Sequence, residues 1–111
     1  MAVPTGDLTG PDVQTLRKQS RDGTYVLIRY RLEQGVGDGW TIRGNALFQG
    51  VGRISQVQIR LNLVNGDDVI ATVPLRVRVT PADKKVHFYG EFKTQALFET
   101  VDFGWRLKYR Y

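Results

Sequence analysis

The residues best placed to do chemistry in this chain are its arginines and lysines. Arg60, Arg76, Arg78, Arg106, Lys108 and Arg110 fall on one phase of alternating segments. In FGWRLKYRY, for example, Phe103, Trp105, Leu107 and Tyr109 take the other phase. Arg29, Arg31 and Arg43 occupy the same outward phase in earlier segments. Acids are nearly absent from these rows, Glu91 being the main exception, and collect in turns at Asp38, Asp67, Asp68 and Asp83. A sheet with base on its strands and acid in its turns presents a positive face to anions. The competing reading is a solvated face, because an arginine stem covers apolar surface while its head stays wet, and strand charges block edge-to-edge aggregation. Alternation does not assign the rows to one sheet, and the solvated face is the expectation.

Other chemistry is sparse. His87 is the single histidine and lies opposite in phase to Val86 and Phe88, hence outward. One histidine and no cysteine exclude a multi-histidine metal site, a thiol nucleophile and a cysteine-held zinc. The turn acids satisfy nearby backbone N–H groups and need no catalytic role. GVGDG (35–39) and the later GVG are glycine-rich, but each runs into a strand, and a phosphate cradle needs a helix N-terminus there. No enzyme activity, cofactor or metal is expected.

The elements that must carry the cations read as β-strands. With 111 residues the chain has room for one domain; its hydrophobic content is 41%, charged content 24% and net charge +5. Residues 1–23 read as a polar leader, in which Pro11 and Asp12 open a short helix through about Ser20. Residues 24–111 form a single β-domain. TYVLIRYRLE, WTIRGNALFQ, ISQVQIRLNLV, VIATVPLRVRV, KVHFYGEFK and FGWRLKYRY supply its strands, while TQALFETVD reads as an irregular connection. Asn65-Gly66 marks a hairpin. Pro74 cannot donate to a ladder, so its segment is an edge strand or two short strands joined by a bulge or a crossing. The spacing predicts an all-β, antiparallel sandwich of six to seven strands, or a small barrel. Its core should hold Trp40, Ile42, Val57, Ile59, Leu61, Val77, Phe88, Phe92, Trp105 and Leu107. No apolar run reaches membrane-helix length and the start lacks signal-peptide character, so the compartment stays open, with an extracytoplasmic one favoured.

From Trp40 on, WTIRGN, the glycine break, VQIRLNLVNGDDVIATV and VHFYGEF resemble FxLYD-type and related immunoglobulin-like domains of bacterial extracytoplasmic proteins. That resemblance implies a seven-stranded immunoglobulin-like sandwich with an accessory role, a protein partner and no catalytic residues. Separately, Arg17-Lys18-Gln19-Ser20-Arg21 resembles the RxxxR arm of PilZ domains, followed here by Asn45 and Gly50 with Leu47 in the serine place. It implies a cyclic di-GMP receptor reading its ligand through Arg17 and Arg21. A protein partner is the first expectation; a polyanion or cyclic dinucleotide is the alternative.

Overall fold

Successive side chains of an extended backbone point to opposite faces, so the alternation from Thr24 onward dictates strands with one buried side. The computed structural model describes residues 3–6, 8–20, 23–50, 52–80 and 85–110, Arg110 by its backbone alone. These residues form eight strands: β1 (Gln14–Gln19), β2 (Tyr25–Gln34), β3 (Gly39–Gln49), β4 (Arg53–Asn65), β5 (Asp68–Pro74), β6 (Arg76–Thr80), β7 (Lys85–Lys93) and β8 (Thr100–Arg110). All pair antiparallel, in a five-stranded sheet ordered β1-β2-β3-β7-β6 and a three-stranded sheet ordered β5-β4-β8. The two sheets pack as a sandwich and do not close into the small barrel.

The eighth strand comes from the leader. Where a helix is expected over 11–20, the chain is extended, and β1 pairs with β2 from Gln14↔Tyr30 to Gln19↔Tyr25. A helix there would bury only Val13 and Leu16, whereas a strand completes the open edge of β2 and turns Leu16 and Lys18 inward. Pro74 behaves as its chemistry requires. It ends β5 at the sheet edge; the Leu75 N–H then donates to the Ile59 carbonyl at 3.0 Å, and β6 continues on β7 in the other sheet. Gly66 adopts a φ of 63° in the β4–β5 hairpin, as the Asn-Gly turn predicts.

The core lies between the sheets. Phe48, Phe88, Phe103, Ile28, Ile42, Leu61 and Leu63 are almost wholly enclosed. Of the ten expected core residues, Ile42, Val57, Ile59, Leu61 and Phe88 are buried, and Val77, Phe92, Trp105 and Leu107 pack at its margin; Trp40 is half-buried and reaches that margin through the rings of Phe92 and Phe98. Gly44 makes room for the central aromatics: a Cβ there would stand 2.2 Å from the Arg29 carbonyl oxygen and 2.6 Å from the Phe88 ring. Above it Phe103 meets Phe88 at 5.4 Å and Tyr30 at 5.2 Å between ring centroids. At the margin, β8 contributes residues 100–102, which the sequence reads as loop, and Phe98 caps Trp40 at 5.1 Å.

Candidate anion-binding faces

With Val57, Ile59 and Leu61 inward on β4, and Phe103, Trp105 and Leu107 inward on β8, the outer face of the three-stranded sheet is set. The register places Gln58 opposite Arg106, Gln56 opposite Lys108 and Arg60 opposite Gly104. Because Gly104 has no side chain, Arg60 lies across it, with its Cζ 2.5 Å from where a Cβ would be. The guanidinium of Arg60 thus joins Arg106 and Lys108 in a line along β8. Alternate residues of a strand are about 6.7 Å apart, so the line carries one cation per repeat. Among the described residues, none of these three side chains has an ion pair. Asp102, the acid on the same strand, is drawn to the seam between the sheets. Lys18 of β1 donates to both its oxygens at 3.1 and 3.0 Å and to the Phe103 carbonyl at 3.0 Å, and stands 5.6 Å from the Trp105 ring centroid. Arg110 pairs in register with Arg53 at the end of this sheet; its side chain lies outside the described residues.

The other two expected cations are elsewhere. Arg76 and Arg78 sit on β6, so the six residues divide between the two sheets, because the crossing at Pro74 and Leu75 moves the strand from one sheet to the other. On the five-stranded sheet, two rows run across the strands. One joins Arg31, Arg43, Tyr89 and Arg76; the next joins Arg29, Asn45, His87 and Arg78.

An arm whose described residues are 3–6 and 8–13 crosses these rows. Arg43 Nη2 donates to the Gly6 carbonyl at 3.1 Å, Arg29 Nη2 to that of Leu8 at 3.4 Å, and Arg31 Nη2 to that of Thr9. Arg31 also faces Asp12 at 3.4 Å and Glu33 at 3.8 Å. Leu8 is 4% exposed yet stands apart from the inter-sheet core. His87 faces outward as alternation requires, but it is buried at 7% exposure, which corrects its reading as a surface residue. Strand phase tells which side a residue takes, not whether a distant segment covers that side. Tyr89 donates to Glu91 at 2.5 Å, and that bond, with some desolvation, raises the Tyr89 pKa.

Arg17 is exposed on β1 beside a depression of about 120 Å³ lined by Tyr25, Val26, Leu27 and Gln49. Ligand pockets run to about 300–1,000 Å³, so this one is small for a dinucleotide. Arg21 lies outside the described residues, as do Asp7, Asp22 and Asp83. Two larger grooves open at the sandwich edges: about 450 Å³ beside Trp40 and Phe92, and about 420 Å³ beside Ile59, Leu75 and Val77. Among the described residues, no three of His, Asp and Glu come together as a metal site, and no helix is long and apolar enough to cross a membrane.

Sequence reasoning missed Lys18 and the arm. Lys18 was legible only as part of a basic run. Leu8, the lone large apolar residue in a polar stretch before Val13, was the available sign of an anchor. No protein-family model, curated protein or solved structure matches the chain.

Proposed function

We propose that this chain is a non-catalytic interaction module that binds an acidic, extended segment of a protein partner along β8. The observation that carries the reading is the line of Arg60, Arg106 and Lys108, unpaired among the described residues and spaced by one strand repeat. An extended peptide presents alternate side chains at that same repeat, so carboxylates at every second position meet one cation each. β8 is also an edge strand, and its outer backbone can accept a further strand beyond the point where Lys18 caps Phe103. Charge complementarity of this kind selects partners and speeds encounter more than it adds affinity. The architecture that goes with the reading is an immunoglobulin-like sandwich, supported by the two packed antiparallel sheets. An accessory place in a bacterial envelope or secreted assembly rests on the resemblance of WTIRGN and the segments after it.

The test uses a fluorescent peptide of alternating glutamate and threonine. It should bind at about 50 mM salt and weaken as salt screens the contacts. The double change Arg106→Glu with Lys108→Glu should abolish binding while leaving the melting temperature in place, since both side chains are exposed. A peptide that fails to bind, or binds the double variant equally, removes the proposal.

A further inference from the structure

The outer face of the five-stranded sheet is built against electrostatic economy. Arg31 and Arg43 are directly opposite across β2 and β3, a placement in which like charges destabilise a sheet. Arg29, Arg76 and Arg78 add three more guanidiniums on the same two rows. Against these the face holds, among the described residues, Asp12 and Glu33 beside Arg31, and Glu91, which accepts from Tyr89. Arg29 and Arg43 make their contacts with uncharged carbonyls of the arm.

The arm itself is lightly held. Its described residues form no strand, and their one mutual backbone bond is Val13 N–H to the Gly10 carbonyl at 3.5 Å. Among the described residues, what fixes it is the three guanidinium contacts, the Asp12 pair and buried Leu8. Segments with few buried contacts open at a small fraction of the global stability.

We infer that this face is a second binding site, for a linear chain of oxyanions such as phosphate or sulfate groups, and that the arm covers it until such a chain displaces it. A charged oxygen accepts a guanidinium N–H about twice as strongly as a neutral carbonyl, so a polyanion outcompetes Gly6, Leu8 and Thr9 for the same donors. Displacement also brings Arg76 and Arg78, which the described residues of the arm do not engage, into one site with Arg29, Arg31 and Arg43. This site is on the face opposite the proposed β8 line and stands or falls independently of it.

The chain has no cysteine, so Thr5→Cys takes a single fluorophore on the arm. Inorganic polyphosphate is titrated into the full chain at about 50 mM salt, with a heparin hexasaccharide in parallel to separate a phosphate source from a sulfate source. Arm anisotropy falls as the polyanion binds. Leu8→Ala tightens apparent affinity by about tenfold or more, because the closed arm taxes binding by the fraction of molecules it occupies. Arg76→Gln with Arg78→Gln weakens binding by a similar factor without loosening the arm, and remains informative if Leu8→Ala does not fold. Arg60→Glu with Arg106→Glu leaves binding unchanged. The inference is overturned if neither polyanion binds, if binding leaves arm anisotropy constant, if folded Leu8→Ala binds no better, or if the Arg60 and Arg106 reversals abolish binding.

Discussion

The two outer faces of this sandwich carry the same kind of residue and are finished differently. On the five-stranded sheet, arginines meet a covering arm and give their protons to its carbonyls. On the three-stranded sheet, Arg60, Arg106 and Lys108 stand uncovered among the described residues, and Asp102 of the same strand is tied to Lys18. Arginine content therefore says little about whether a face is open for binding. What separates the faces is the backbone around them: a segment before β1 long enough to cross one sheet, and a glycine at 104 that lets Arg60 join a line on the other.

The largest effect should come from removing what both faces stand on. Phe103 is fully buried at the centre of the inter-sheet core, so Phe103→Ala should cost about 3–5 kcal/mol. That is a large part of the 5–15 kcal/mol typical of a domain. Thermal or urea unfolding should show it, together with loss of binding on both faces. Trp105→Ala should cost less, since Trp105 is only partly buried; a loss equal to that at Phe103 would mean the sheet edge is packed as tightly as the centre.

Lys18→Met separates the faces more finely. Both partners of the Lys18–Asp102 pair are more than a third exposed, so solvent screening leaves its loss at about 0.2–1 kcal/mol. The released Asp102 carboxylate then faces the β8 line, and affinity for an acidic peptide should drop several-fold while polyphosphate binding to the opposite face is unchanged. Gly104→Ala acts on position instead of charge. It pushes Arg60 off β8, and the same peptide should lose affinity with little change in melting temperature.

The smallest effect is a pH dependence that reports on the contact between the sheets. Tyr30 belongs to the five-stranded sheet and leans on Phe103 of the other. Burial raises its pKa above the ordinary 10.0. The folded state thus holds the phenolic proton more tightly than the unfolded chain. That contribution is intact below pH 10 and is lost as pH rises through the folded value. Tyr30→Phe should flatten the decline of stability in alkaline unfolding; an unchanged decline would assign it to other groups.

The strands were legible because burial on one side writes itself into alternating residues, as in Val57, Ile59, Leu61 and Leu63. Pro74 marked the break in its segment, because proline lacks the N–H a ladder needs, but an edge strand, a bulge and a crossing all fit that mark. Leu16 and Lys18 hid β1, since an edge strand buries little and a lysine at an inward position looks like surface. The candidate faces were half legible. Outward phase followed from alternation at Arg60, Arg76, Arg78, Arg106 and Lys108, but phase is a local property, and division between two sheets depends on topology. The arm was out of reach for the same reason. Side chain to carbonyl contacts spanning 21 to 37 residues leave no periodic mark.

The central claim is that the uncovered line on β8 is the binding surface for an acidic partner segment. Amide chemical-shift mapping with the glutamate–threonine peptide tests it most directly, because each face reports separately. Shifts are expected along residues 104–109 of β8 and residues 56–60 of β4, with Arg29, Arg31 and Arg43 unmoved. Shifts on β2, β3 and β7, or uniform small shifts over both faces, would contradict it.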